Sequence, residues 1–194
     1  MKELVGTEAV KREVAVREKK GLGIREVLLI GILLAAGAVL KFFVGSVINF
    51  GMKPNFIIAM YCLVILLIRP RFIEAAIIGL LSGAICQFFP GQPYINFASE
   101  LVGALAMCLL IRLPLERIKL PVKTVFCAFV STLASGFSFI GIMYLMYYTG
   151  VDITPTPLAI FMAIIFGTAT INAVIVQILY VPLKLALKIN DDKR

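Results

Sequence analysis

The sequence predicts an all-α integral membrane protein, a six-transmembrane-helix bundle with both termini cytoplasmic. Three observations predict it. Of the 194 residues, 61% are apolar and only 15% charged, against roughly 45–50% apolar in an average soluble domain. The mean hydropathy is +1.01. The apolar residues fall into long runs separated by Pro, Gly and charged breaks. A chain this short has too little interior to hide that much apolar surface from water, so lipid is the solvent for most of it. This composition excludes a cytosolic enzyme, a secreted disulfide scaffold and a nucleic-acid-binding domain.

A membrane-crossing helix needs about 20 mostly apolar residues. The runs place spans at Val27–Phe43, Asn55–Ile68, Phe72–Phe89, Phe97–Ile111, Val122–Tyr148 and Leu158–Leu187. The second and fourth are short, which suits helices with little tilt or helices enclosed by others; the fifth and sixth are long enough to tilt. The chain divides into a basic N-terminal extension over 1–25, a membrane domain over 26–188 and a tail over 189–194.

All but Lys41 and Lys53 of the 19 basic residues lie in the N-terminal segment, the loops after spans two and four, and the C-terminal end. By the positive-inside rule that side is cytoplasmic. The net charge of +8 is thus an insertion signal and not a polyanion-binding surface. Residues 1–25 do not read as a cleaved signal peptide: about 25 charged and mixed residues precede the first apolar run, and Ala36-Gly37-Ala38 continues into Val39 without a polar break. Glu8/Arg12 and Glu13/Arg17 are i,i+4 pairs that support a helix, either solvated or lying on the anionic inner leaflet.

The chemistry available is narrow. There is no histidine, and Cys62, Cys86, Cys108 and Cys127 are scattered within apolar runs, where cysteine behaves as a small hydrophobe. No metal, haem or His-assisted nucleophile is expected. No phosphate-binding GxxxxGK[ST] loop, HExxH or GxSxG is present, so the chain itself is expected to bind no ATP and no cofactor. Without inverted repeats, six helices make a small frame for a free-standing transporter. Energy for moving a solute would come from another subunit.

Three features point to function. Gly31, Ala35 and Ala38 form a small-residue strip on span one, suited either to packing within the bundle or to docking another subunit. Phe50-Gly51-Met52-Lys53-Pro54-Asn55 brings an ammonium and a carboxamide together at the outer level, as snorkelling groups or as an ordered binding loop. Phe88 to Glu100 is an outer loop with two prolines and a glycine, rich in hydrogen-bonding side chains. Glu100 lies about one turn inside span four, where an unpaired carboxylate costs a few kcal/mol, so it marks a functional position or pairs with Lys41 or Lys53 to tie helices together. Gln87, Asn172 and Gln177 suit helix-to-helix hydrogen bonds or ligand contacts.

Six helices with cytoplasmic ends, the strip on helix one and the absence of an ATPase motif resemble a substrate-binding S component of an energy-coupling factor (ECF) transporter. Gly51-Met52-Lys53-Pro54-Asn55, the following helix ending in Arg69-Pro70-Arg71, and Pro90-Gly91-Gln92-Pro93-Tyr94-Ile95-Asn96 resemble the tryptophan transporter family within that group. The chain departs from that family's pattern at Ser99-Glu100, where an Asp-Lys pair is common. The likeness covers about 25–187. It implies a solute site at the outer face, a loop between helices one and two that helps close it, and partners comprising one membrane coupling subunit and two ATPase subunits that bind the ATP. The substrate-binding candidates are Lys53, Asn55, Gln92, Tyr94, Asn96 and Glu100. Gly31, Ala35 and Ala38 would meet the coupling subunit. A zwitterionic amino acid suits this set, with Lys53 on its carboxylate, Glu100 on its ammonium, and Phe89, Tyr94 and Tyr144 around an indole.

The reading is therefore an ATP-driven uptake subunit in the bacterial cell membrane, for tryptophan or a related amino acid, and not an enzyme. The alternatives are an S component for a vitamin such as niacin, folate or riboflavin, a small membrane enzyme acting on lipids, for which the cytoplasmic loops offer only Glu74 and Glu116, and a non-transporting partner of another membrane complex.

Overall fold

A computed structural model describes residues 21–47, 55–90, 94–113, 120–153 and 155–188. They form six α-helices: α1 Ile24–Val47, α2 Ile57–Ile68, α3 Phe72–Cys86, α4 Ile95–Leu110, α5 Leu120–Tyr148 and α6 Leu158–Ala186. The helices coincide with the six apolar runs to within a few residues. Residues 1–20, the Gly51–Pro54 part of the first motif, Gly91–Pro93 of the second, and Glu116 lie outside the described residues.

Helix boundaries follow from local chemistry. At the start of α1, Glu26 Oε2 accepts a hydrogen bond from the Gly23 amide, satisfying a donor that the first turn leaves open. Pro70 cannot continue α2. The chain turns through Arg69 in the left-handed region (φ 49°), and α3 starts at once, with Glu74 Oε2 accepting from the Arg71 amide at 2.7 Å. Glu74 thus caps α3. The cytoplasm-facing end expected from the sequence is tied laterally. Arg112 Nη2 donates to the Pro70 carbonyl at 2.9 Å, and Arg25 Nη2 donates to the Leu187 carbonyl at 3.0 Å.

The short α2 is the axis of the fold. Its 12 residues rise only about 18 Å, and all except Leu66 are buried. It packs against each of the other five helices, so it is enclosed as its length suggested. Around it run α3, α4, α5 and α6 in chain order, while α1 packs on α2 and α3. The perimeter is apolar: Leu28, Ile32 and Phe43 of α1, Ile77 of α3 and Ile178 and Leu185 of α6 are all exposed. Among the described residues, three helices are long and apolar enough to cross a membrane, over Ile24–Val44, Val122–Tyr148 and Leu158–Ala186. An exterior of large hydrophobic side chains on such helices is the mark of a membrane protein.

Glycine sets the closest helix contacts. Gly79-Leu-Leu-Ser-Gly83 is a GxxxG strip on α3 that lets α4 approach backbone to backbone. A Cβ at Gly79 would lie 2.8 Å from the Glu100 carbonyl oxygen, and one at Gly83 would lie 2.7 Å from Phe97 Cα. This contact fixes the turn of α4 that carries Asn96 and Glu100. On α1, Gly37 faces inward, where a Cβ would meet Met60 Cγ at 2.9 Å. Gly31 has open space around it, and Ala35 is exposed. The small residues of α1 therefore serve two faces: Gly37 packs on α2, while Gly31 and Ala35 look outward, with Ala38 half-buried between.

Candidate functional site

Several of the polar residues that lipid would penalise converge on one cavity. It lies in the half of the bundle that carries the α3–α4 connection, lined by residues of all the helices except α3, together with Asn55 and Pro90 from the connections. Its volume is about 110 Å³, where a single water needs roughly 10–15 Å³. One wall is polar, with Asn55, Asn96, Ser99 and Glu100 joined by Thr132 and Ser135 of α5. Ile58, Phe139 and Ile165 supply apolar lining. An apolar chamber with a few converging polar groups is the usual form of a small-molecule site.

Glu100 is the centre of the polar wall. It is 1% exposed, and both carboxyl oxygens accept hydrogen bonds, Oε1 from Asn55 Nδ2 and Oε2 from Ser135 Oγ at 3.4 Å. Asn55 is held in turn from three directions. Its Oδ1 accepts from the Ile57 amide at 3.3 Å, an Asx turn that opens α2. Its backbone carbonyl accepts from Asn172 Nδ2 of α6 at 3.1 Å, and its Nδ2 also approaches Cys86 Sγ at 3.6 Å. Asn172 is thus an inter-helix tie. Gln87 plays a similar part, donating to the Gly83 carbonyl at 3.0 Å and accepting from the Tyr94 amide at 3.2 Å. It joins the end of α3 to the start of α4, where Tyr94 adopts φ 67°.

Lys41 also lines the cavity. It is 7% exposed, donates to Cys86 Sγ at 3.2 Å, and sits over the Phe89 ring at 5.1 Å from the centroid, within cation–π range. No ion pair joins Lys41 and Glu100 among the described residues. The simple helix-tying pair with Lys41 is therefore not formed; Lys53, the other partner that the sequence allowed, lies outside the described residues.

Behind this wall the Tyr61 hydroxyl is buried and makes no hydrogen bond of its own. It sits against Gly103, where any Cβ would collide with it. Cys62 Sγ donates to Ser131 Oγ at 3.3 Å, and Ser131 Oγ donates to the Gly103 carbonyl at 2.9 Å. All four cysteines are free and buried, but Cys62 and Cys86 belong to this polar layer as well as to the core.

The structure brings together three of the residues the sequence singled out, Asn55, Asn96 and Glu100, in one cavity. Tyr94 is 74% exposed and lies off the lining; Tyr144 hydrogen-bonds the Thr156 carbonyl at 3.2 Å. Of the three aromatic residues expected around an indole, Phe89, Tyr94 and Tyr144, none lines the cavity, whereas Phe139 does. Lys53 and Gln92 lie outside the described residues. Sequence reasoning did not select Lys41, Thr132, Ser135 or Thr168. The signal for Lys41 was available: it is the one charged residue between Glu26 and Lys53, placed where lipid makes a charge costly.

Comparison with known proteins adds to this geometry. The family model described as "Tryptophan transporter TrpP" matches residues 23–188. The chain is also similar to a "Probable tryptophan transport protein" of Clostridium acetobutylicum, 25% identical over 171 residues that cover 87% of this chain and 96% of that one. No solved structure matches.

Proposed function

Since the chain belongs to the tryptophan transporter family, and is a membrane transport protein and not an enzyme, we propose that it is the substrate-binding subunit of an ATP-driven ECF-type importer, with tryptophan as its solute. The observation that carries this reading is the cavity beside Asn55 and Glu100: a buried carboxyl group with organised donors, opening onto apolar walls, in a chain whose sequence carries no GxxxxGK[ST], HExxH or GxSxG motif.

In this reading all six helices cross the bacterial plasma membrane. Both termini are cytoplasmic, because the basic residues gather at that end, and the cavity faces the outside. The coupling subunit docks on the face of α1 that carries Gly31, Ala35 and Ala38. Two of these are exposed and Gly31 has nothing packed on it, which suits the close approach of another helix. Two ATPase subunits supply the ATP-binding sites that this chain lacks.

The protein contains no tryptophan. Indole fluorescence excited at the red edge of its absorption therefore reports bound ligand with no background from the chain. Purified protein in detergent is expected to bind L-tryptophan by this measure, with niacin and riboflavin failing to compete. Reconstituted with the coupling subunit and ATPases, it is expected to accumulate labelled tryptophan only when ATP is hydrolysed. Absence of binding by a monodisperse sample would overturn the substrate, and uptake without ATPases would overturn the mechanism.

A further inference from the structure

Lys41 and Glu100 present opposite charges to one cavity without touching each other. Lys41 comes from α1 and Glu100 from α4, and both line the chamber. An ammonium group has three N–H donors. Among the described residues Lys41 Nζ makes one hydrogen bond, to the thiol of Cys86, and a thiol is a weak acceptor. A carboxyl group accepts at about four lone-pair positions; Asn55 and Ser135 supply one donor to each oxygen of Glu100. Both groups are buried with bonding capacity to spare, in a setting where an unmatched charge costs far more than in water.

From this juxtaposition we infer that the cavity selects a free α-amino acid by its two charged ends, Lys41 taking the α-carboxylate and Glu100 the α-ammonium, while Ile58, Phe139 and Ile165 meet the side chain. The assignment rests on the amino-acid reading of the same site and gives the carboxylate to Lys41 in place of Lys53. A zwitterion completes both groups at once and leaves the chamber's net charge unchanged. A ligand lacking either end leaves one buried charge unmatched, and discrimination built on unpaired buried groups is large. Lys41 is held for this role by Cys86 and by the Phe89 ring, and Glu100 by Asn55, so neither has to be ordered when the ligand arrives.

The test compares three ligands with the full chain in detergent by calorimetry: L-tryptophan, tryptamine, which lacks the carboxylate, and indole-3-propionate, which lacks the ammonium. The wild type is expected to bind tryptophan about tenfold or more tighter than either analogue. In Lys41→Met the advantage over tryptamine should disappear while that over indole-3-propionate persists; in Glu100→Gln the reverse should hold. Lys41→Arg should restore the preference over tryptamine. These ratios are internal to each variant, so a general loss of stability does not imitate them.

Equal weakening of tryptophan and tryptamine by Lys41→Met, or loss of the tryptamine discrimination in Lys53→Met instead, would overturn the assignment. If folded wild type binds no indole compound, the tryptophan reading fails by itself. The same comparison with phenylalanine, phenethylamine and 3-phenylpropionate then decides the charge assignment, which falls if the zwitterion has no advantage there.

Discussion

Asn55 donates its amide to Glu100 across 45 residues of sequence, and in doing so locks the entrance of α2 to the first turns of α4. The same residue accepts from Asn172 of α6 through its carbonyl. One residue thus joins three elements at the wall of the cavity, its carboxamide linking α2 to α4 and its backbone carbonyl linking both to α6.

Asn55→Leu is therefore expected to lower both stability and ligand affinity. It leaves one Glu100 oxygen without its donor, a loss of about 1–3 kcal/mol. Thermal unfolding in detergent and tryptophan titration of the variant measure the two effects. In a double-mutant cycle, Asn55→Leu with Glu100→Gln should cost less than the sum of the single changes, because the residues share one bond. Additive losses would show that Asn55 acts elsewhere.

Gly83→Val tests the α3–α4 contact. A side chain there meets Phe97 Cα and the Asn96 carbonyl, backbone atoms that cannot rotate away. The expected destabilisation is about 1–3 kcal/mol or more, with affinity falling as the Asn96–Glu100 turn shifts. Gly31→Leu is the control, since nothing stands within contact of that position, and its melting temperature should match wild type.

Gly31→Leu and Ala35→Leu should also separate binding from transport. Tryptophan affinity should be unchanged, while co-purification with the coupling subunit and ATP-driven uptake are lost. Retained uptake would mean that this face of α1 only meets lipid.

Gly103→Ala collides with the Tyr61 hydroxyl. Tyr61→Phe removes the colliding hydroxyl and is expected to change stability by about 1 kcal/mol. Combined with Gly103→Ala, it should recover part of the loss caused by the single alanine. Melting temperatures of the two single variants and the double variant decide this.

Orientation is open to a labelling experiment. The four native cysteines are buried, so an impermeant thiol reagent should leave intact cells unlabelled. Asp152→Cys, at an exposed position, should react from outside. Lys188→Cys, exposed at the other end, should react only after the membrane is opened. The reverse pattern would invert the topology.

Much of the architecture was legible because lipid imposes a simple rule: apolar runs must close their own hydrogen bonds, and only helices do so within one segment. This located all six helices, and the shortness of the second allowed either little tilt or the enclosure that the packed bundle shows. Asn55 and Asn96 stood out through the two outer motifs that resemble the family, whereas Glu100 stood out for the complementary reason, as a polar group at a depth where it is expensive. Lys41 was visible by the same logic, but its position on helix one gave no sign of which neighbours it would meet.

What the sequence could not supply was the facing of each helix. In water, the buried stripe of a helix is apolar and the outer face polar, so periodicity reveals the interior. Here the perimeter of α1 is as apolar as its contact with α2, and Gly37 turns inward while Gly31 turns outward with nothing in composition to distinguish them. Likewise Gly79 and Gly83 acquire meaning only once α4 is seen lying against them. Amino-acid order determined the helices, their ends and the depth of each polar group, because those depend on local hydrogen bonding and on lipid as solvent. Only the packed bundle decided which of those groups meet, since the contacts between helices are set by shape where both sides are equally apolar.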